Sequence, residues 1–233
     1  MMLRLLKAMA RSVVLAGTPR CERCQFSPRW CICAGEQAIT CPLQVDVLMH
    51  HREANRPTST GRLINRVLPA SRRHLFRRET PPLRDSVGLP GRELWILHPR
   101  GEPLPAGATP EALQVLLLDG SWREAARMAQ DVGSWGRLVR LPESGPGRYQ
   151  LRTHVHDGRY STVESLLLLL AALGLTEAET QLRLQFELHV YAGLRTRGAK
   201  VKAAEFLATS PIGAAFPELL AQMHVRRPRS ASD

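Results

Sequence analysis

The stretch Gln114-Val115-Leu116-Leu117-Leu118-Asp119-Gly120-Ser121-Trp122-Arg123-Glu124 decides the fold. Its apolar half has no alternation, so it reads as a strand buried on both faces, the kind found inside parallel sheets. The run stops at Asp119-Gly120. Ser121, with Glu124 three residues later, then forms a capping-box pattern that opens a helix through about Gln130. A buried strand, a polar turn and a helix in immediate succession are the repeating unit of α/β folds, whose ligands sit beyond the carboxyl ends of the strands.

The same grammar extends in both directions. Val45 to Met49 is a strand, followed by the polar loop His50 to Pro57. Thr58 and Thr60 can then cap a helix with Leu63, Ile64, Val67 and Leu68 on its apolar side, and this helix is expected to carry Arg62 and Arg66 on one exposed face. Arg72 to Gly91, basic and broken by prolines, reads as an irregular excursion. Glu93 to Leu97 is a strand that ends at His98-Pro99. Arg137 to Leu141 and Tyr149 to Arg152 are short strand candidates. Ser161-Thr162-Val163-Glu164 repeats the capping-box spacing and opens an apolar helix through Leu173. A helix from Glu177 to Leu194 and an amphipathic segment to His224 complete an α/β domain with a mainly parallel sheet flanked by helices. The polar groups near 50–56, 98–101, 119–123 and 158–164 therefore converge at strand ends.

The division expected is an extension over 1–17, a cysteine-rich knuckle over 18–42, one catalytic domain over 43–224 and a basic tail over 225–233 with Arg226, Arg227 and Arg229. In the knuckle, Cys21-x2-Cys24-x6-Cys31-x-Cys33 puts four thiols within 13 residues. Structural zinc is the leading reading, because four thiolates around one ion stabilise a segment too small for its own core. Disulfides, an iron–sulfur cluster and unligated thiols are the alternatives. Cys41 makes the cysteine count odd and reads as a buried apolar residue. Secretory features are lacking, which points to a reducing, cytoplasmic setting. Met1 to Gly17 reads as a short amphipathic helix or frayed terminus, its apolar residues interrupted by Arg4, Lys7 and Arg11. The longest apolar block, Leu166 to Leu173, is eight residues, whereas a membrane span needs about 20.

The 233 residues carry a formal charge of +11, and the window from Arg52 to Arg84 holds nine arginines against Glu53 and Glu79, a net +7. Such a balance favours a polyanionic partner, without specifying a reaction. A hydrolase built on Ser121 is disfavoured, since no histidine adjoins it and no nucleophile-elbow pattern is present. His154, His156 and His189 have no spacing that makes a metal site with an acid.

Four motifs in order, the cysteine set, His50-His51-Arg52-Glu53 leading to Thr60-Gly61-Arg62-Leu63, Leu118 to Ala125, and Tyr149-x-Leu151-Arg152 with Ser161-Thr162-Val163-Glu164, resemble the DTW-domain family. The resemblance spans about residues 20–175. It implies a tRNA-uridine aminocarboxypropyltransferase that moves the 3-amino-3-carboxypropyl group of S-adenosylmethionine to uridine N3, on a SPOUT-like fold with a C-terminal trefoil knot. Two positions depart from the family pattern: Ser121 stands where threonine is usual, and His51 where proline often follows the first histidine. Both leave room for altered substrate preference.

With that reaction in view, Asp119 is expected to serve as base or electrostatic aid, or else to position the following helix. His98, Pro99, Leu118, Asp119, Ser121, Trp122, Ser161, Thr162 and Glu164 are the expected cofactor contacts. Trp122 divides between stacking and core, and Glu164 between ligand contact and capping. Arg52, Arg56, Arg62 and Arg66 are expected at RNA phosphates, and Glu53 is expected to orient an arginine or meet the cofactor ammonium. Competing readings are transfer of the same group, or of methyl, to ribosomal RNA, and a zinc-containing RNA-binding protein without catalysis. A monomer is the simplest assembly.

Overall fold

A computed structural model describes residues 19–142, 144–152 and 160–225. The 1–17 extension, the basic tail from Arg226 onward, and His154 and His156 lie outside the described residues. Five strands, β1 (Gln44–His50), β2 (Arg72–Phe76), β3 (Glu93–Pro103), β4 (Leu113–Asp119) and β5 (Arg137–Arg140), form one sheet in the order β2-β1-β4-β3-β5. Every neighbouring pair is parallel. The helices are α1 (Thr60–Val67), α2 (Arg84–Val87), α3 (Trp122–Val132), α4 (Thr162–Ala172), α5 (Thr176–Thr196), α6 (Lys200–Ala208), α7 (Ile212–Ala215) and α8 (Pro217–His224).

Side-chain direction alternates along each strand, so the odd and even positions of β4 serve different layers. Leu113, Val115 and Leu117 join the larger core beneath α1, α4 and α5, to which α1 gives Leu63, Ile64 and Val67. Leu116 belongs to a smaller core with Leu48, Ile96 and the α3 residues Met128 and Val132. Burial on both sides accounts for the unbroken apolar run. α1 and α3 thus cover opposite faces, one leading from β1 toward β2 and the other from β4 toward β5. β1 and β4 lie side by side between these diverging connections, which makes their carboxyl ends a topological switch point.

Several expectations change. Arg72 to Gly91 contains β2 and α2: the alternation Arg72, His74, Phe76 faces the smaller core, while Arg73 and Leu75 are exposed on the outer side of this edge strand, where the arginine suits an edge. β3 continues past His98-Pro99 to Pro103 through an irregularity in which Leu97 and Glu102 both lie opposite Val139. Tyr149 to Arg152 is not a strand. The knuckle packs into the main core. Cys24, Phe26, Trp30, Ile32 and Ile39 are part of the larger core, and Gln185 Nε2 of α5 donates to Gly35 O at 2.9 Å. Trp30 has Arg195 over its ring at 4.4 Å and Arg29 at 5.1 Å, with His224 edge-on at 6.2 Å.

Among the described residues, no helix is long and apolar enough to cross a membrane.

Candidate active site at the sheet switch point

Asp119 is the last residue of β4, and the strand alternation turns its side chain toward the face shared with Val115 and Leu117. There it meets two helix starts. Ser59, the N-cap of α1, donates to Asp119 Oδ2 at 2.8 Å, and Thr162 at the first position of α4 donates to Oδ1 at 2.6 Å. The positive ends of both helices therefore face one carboxyl group that is 3% exposed. Its closeness to α1 requires Gly61, because a Cβ there would lie 2.6 Å from Asp119 Cγ. Val163 N donates to Thr60 Oγ1 at 3.4 Å, which fastens the two helix starts to each other.

Above Asp119 opens a cavity of about 630 Å³, within the range of roughly 300–1,000 Å³ usual for small-molecule sites. Leu97, Leu118, Leu141, Pro99 and Pro142 supply apolar wall; Thr60, Tyr149, Tyr160, Ser161 and Thr162 supply hydroxyls; Arg140 and Arg152 supply charge. His98 enters from the excursion within β3. Its Nδ1 accepts from Arg100 N at 3.2 Å, which leaves Nε2 to carry the proton of the neutral ring. Burial, and secondarily Arg100, lower the His98 pKa, so this ring offers a neutral donor. Tyr149 Oη donates to Thr58 O at 2.6 Å, and burial raises its pKa to about 12, keeping the phenol protonated.

Of the residues expected from sequence, His98, Pro99, Leu118, Asp119, Trp122, Ser161 and Thr162 line this cavity. Trp122 is 41% exposed, which rules out the core reading. Ser121 and Glu164 do not line it. Ser121 caps α3 in a complete capping box with Glu124. Glu164 caps α4, and its carboxylate accepts from Ser161 N, Arg148 N and Tyr149 N at 2.7, 2.6 and 3.0 Å. Three backbone donors define its work: it fastens the segment before Tyr149 to α4, and a Cβ on Gly147 would sit 2.7 Å from its Oε1.

The arginines divide in the same way. Arg52 and Arg56 are exposed on the loop after β1. Arg62 and Arg66 do not form the expected exposed face. Arg62 Nη1 donates to Ala54 O at 2.7 Å, and Arg66 Nη1 lies 3.1 Å from Glu36 Oε1, with its side chain 13% exposed. The knuckle covers the side of α1 that the sequence left for solvent. Conversely, Thr60, Tyr149, Arg140 and Arg152, which line the cavity, and Ser59, which bonds Asp119 beneath it, carry no cavity role in the sequence reading. Tyr149 and Arg152 stand in one of the quoted motifs, so that signal was present without a role attached.

The four knuckle thiols come together as the spacing predicts. Cys21 and Cys33 sulfurs are 3.5 Å apart, those of Cys24 and Cys31 3.8 Å, and all four lie within 4.8 Å of one another. Zinc with thiolates at about 2.3 Å has sulfur–sulfur edges near 3.8 Å, so the donor set and its size fit a structural zinc ion. Cys41 is outside the cluster and packs, partly buried, against the larger core.

The DTW-domain model matches residues 18–192, three quarters of the chain and all four motifs. The chain belongs to the DTW-domain family. The DTW match runs from the knuckle through α4 and most of α5, and so contains every residue that lines the cavity. No solved structure matches the chain.

Proposed function

We propose that this DTW-domain protein transfers the 3-amino-3-carboxypropyl group of S-adenosylmethionine to N3 of a uridine in tRNA. The observation that carries this reading is the cavity at the β1/β4 switch point with the buried Asp119 in its floor; family membership supports it. The residues present suit the cofactor. Apolar wall from Leu97, Leu118 and Leu141 fits a nucleoside, Trp122 offers an exposed ring for stacking, and Arg152 offers charge for a carboxylate. When bound, the cofactor supplies a methylene carbon activated by the neighbouring sulfonium, with methylthioadenosine as leaving group.

The protein's share is orientation and proton handling. In this reading Asp119 receives the N3 proton. Each of its oxygens already accepts one hydroxyl bond and keeps a second acceptor position. Ser59 and Thr162 hold the carboxylate still, so that position is set before substrate arrives. RNA is supported by charge at the same sheet end, where Arg52, Arg56, Arg77, Arg78, Arg123 and Arg140 are exposed around the strand termini. Such a collar suits phosphates better than the α1 face does, since Arg66 is engaged with Glu36. A bound zinc ion in the knuckle, a SPOUT-like knotted path and a monomer working in the cytoplasm complete the reading.

Incubation with unmodified tRNA and labelled cofactor, followed by nucleoside mass measurement, tests it. The expected result is uridine enlarged by one aminocarboxypropyl group. A methylated nucleoside, product only on ribosomal RNA, or RNA binding without any product would each replace this reading by the corresponding competitor.

A further inference from the structure

Glu53 and Arg152 lie 99 residues apart in sequence, in two different motifs, and meet beside the cavity floor. Arg152 Nη2 donates to Glu53 Oε2 at 2.5 Å, and Arg56 Nη1 donates to Oε1 at 2.6 Å. The Glu53 side chain is fully buried, and a buried carboxylate without cationic partners is strongly unfavourable. Burial pushes the Glu53 carboxyl up, with Arg152 pulling the other way. One carboxylate shared by two guanidinium groups leaves the trio with a surplus positive charge. Asp119 feels both Glu53 and Arg152, but its own bonds go to the hydroxyls of Ser59 and Thr162.

Arg152 is about one-third exposed and is part of the cavity lining. Glu53 takes one of its nitrogens, whereas a guanidinium carries five N–H donors in a rigid fork. Among the described residues, no other hydrogen bond holds the guanidinium. The fork is thus fixed in direction by a buried acid and retains donors next to the cavity. That arrangement suits a planar anion of carboxylate size. Arg140, the other cationic residue of the lining, is exposed at the end of β5 and pays less desolvation, but it is also less able to discriminate.

We propose that Arg152 is the anchor for the α-carboxylate of the group to be transferred, and that Glu53 is the positioning residue that aims it. This inference rests on the cofactor reading above and deepens it. The carboxylate belongs to the three-carbon unit that moves, so an anchor there holds the transferred piece beside Asp119 instead of the departing nucleoside.

Calorimetric titration of the full chain with three ligands tests it: S-adenosylmethionine, its decarboxylated analogue with the same sulfonium and nucleoside, and methylthioadenosine. Charged hydrogen bonds of this kind make the carboxylated ligand bind about 10- to 100-fold tighter than the decarboxylated one to the unaltered protein. Arg152→Met removes that preference and leaves methylthioadenosine affinity unchanged, which also shows that the site is still folded. Arg152→Lys restores part of the preference, and Glu53→Gln lowers it with the same nucleoside control unmoved. Equal binding of the carboxylated and decarboxylated ligands to the unaltered protein overturns the anchor and leaves the cofactor reading standing, without depending on any variant. Equal weakening of all three ligands by Arg152→Met also overturns it. No binding of any of the three overturns the cofactor reading and the anchor with it.

Discussion

Asp46 and Asp119 are both buried aspartates on adjacent central strands, yet they occupy opposite faces and opposite situations. Asp46, in β1, faces the smaller core with Arg72, His74 and Gln114. Its carboxylate is saturated: Gln44 Nε2 donates at 2.8 Å, Gln114 Nε2 at 2.6 Å, Arg72 N at 3.3 Å and Arg72 Nε at 3.2 and 3.1 Å, while Arg72 Nη2 and His74 complete the set. Burial by itself would raise its pKa, but the bonds from His74 and Arg72 outweigh it and hold the value at about 2. Asp119 has two hydroxyl donors, a cavity beside it and acceptor capacity to spare. A carboxylate whose partners are all internal knits three strands together. One with unfilled positions at a sheet switch point is available for chemistry.

The sharpest way to break this contrast is to truncate each residue. Asp119→Ala is expected to lower single-turnover transfer by about 10²- to 10⁴-fold, with tRNA affinity in a filter-binding assay little changed. Asp46→Ala is expected to cost about 1–3 kcal/mol in urea unfolding, since it leaves the buried amide of Gln114 without its acceptor and the partly exposed guanidinium of Arg72 without its carboxylate, while the folded fraction retains its transfer rate. If the two substitutions exchanged these signatures, the division of labour would be wrong.

Gly61→Ala probes the contact that keeps Asp119 in place. The added methyl would fall 2.6 Å from Asp119 Cγ, and crowding of this kind costs about 1–3 kcal/mol. Transfer should drop more than stability, because the group displaced is the carboxyl itself; a variant equal to the parent in rate and melting temperature would show that the contact is slack.

Acid separates the stabilising carboxylate from a second buried group. His189 is wholly buried with neither ring nitrogen bonded among the described residues, and burial lowers its pKa from 6.5 to about 3. The unfolded chain takes up a proton there below pH 6.5 while the native chain does not, so stability falls as pH drops toward 3, by up to about 1.4 kcal/mol per unit. Asp46 acts lower: its depressed pKa gives stability that is full above 3.8 and lost as pH falls through about 2. Unfolding curves between pH 7 and 4 should therefore flatten in His189→Leu and keep their slope in Asp46→Asn. The smallest effect concerns charge outside the site. Arg52→Ala should lower the salt slope of RNA binding by about one, and Arg66→Met should leave that slope unchanged while reducing stability through loss of the contact to Glu36.

Much of this was legible in sequence where one local rule governed. The apolar run of β4 and the two capping boxes announced strand ends and helix starts that the structure reproduces. The four thiols, the parallel sheet and Asp119 at the end of its central strand followed from the same rules. What escaped depended on neighbours distant in sequence. Arg72-Arg73-His74 reads as loop because nothing local says that Asp46 will take Arg72 and His74. The spacing of Arg62 and Arg66 puts them on one side of a helix, but only the packed knuckle shows that this side is covered. Glu164 and Ser121 could serve a ligand or a cap by their sequence, and it is the backbone amides reaching them in the fold that show the capping. Ser59 carried no motif signal, although its hydroxyl touches the central carboxylate.

The Trp30 clamp sets an order of events during synthesis. Arg29 Nε donates to Met223 O across 194 residues, and Trp30 rests against Arg195 and His224. While α5 and α8 are still inside the ribosome, the indole has no lid, so the thiol-rich segment emerges early and must wait for its covering. Closure with so long a chain separation is slow, and through that interval the nascent chain exposes Trp30 and the cysteines around it.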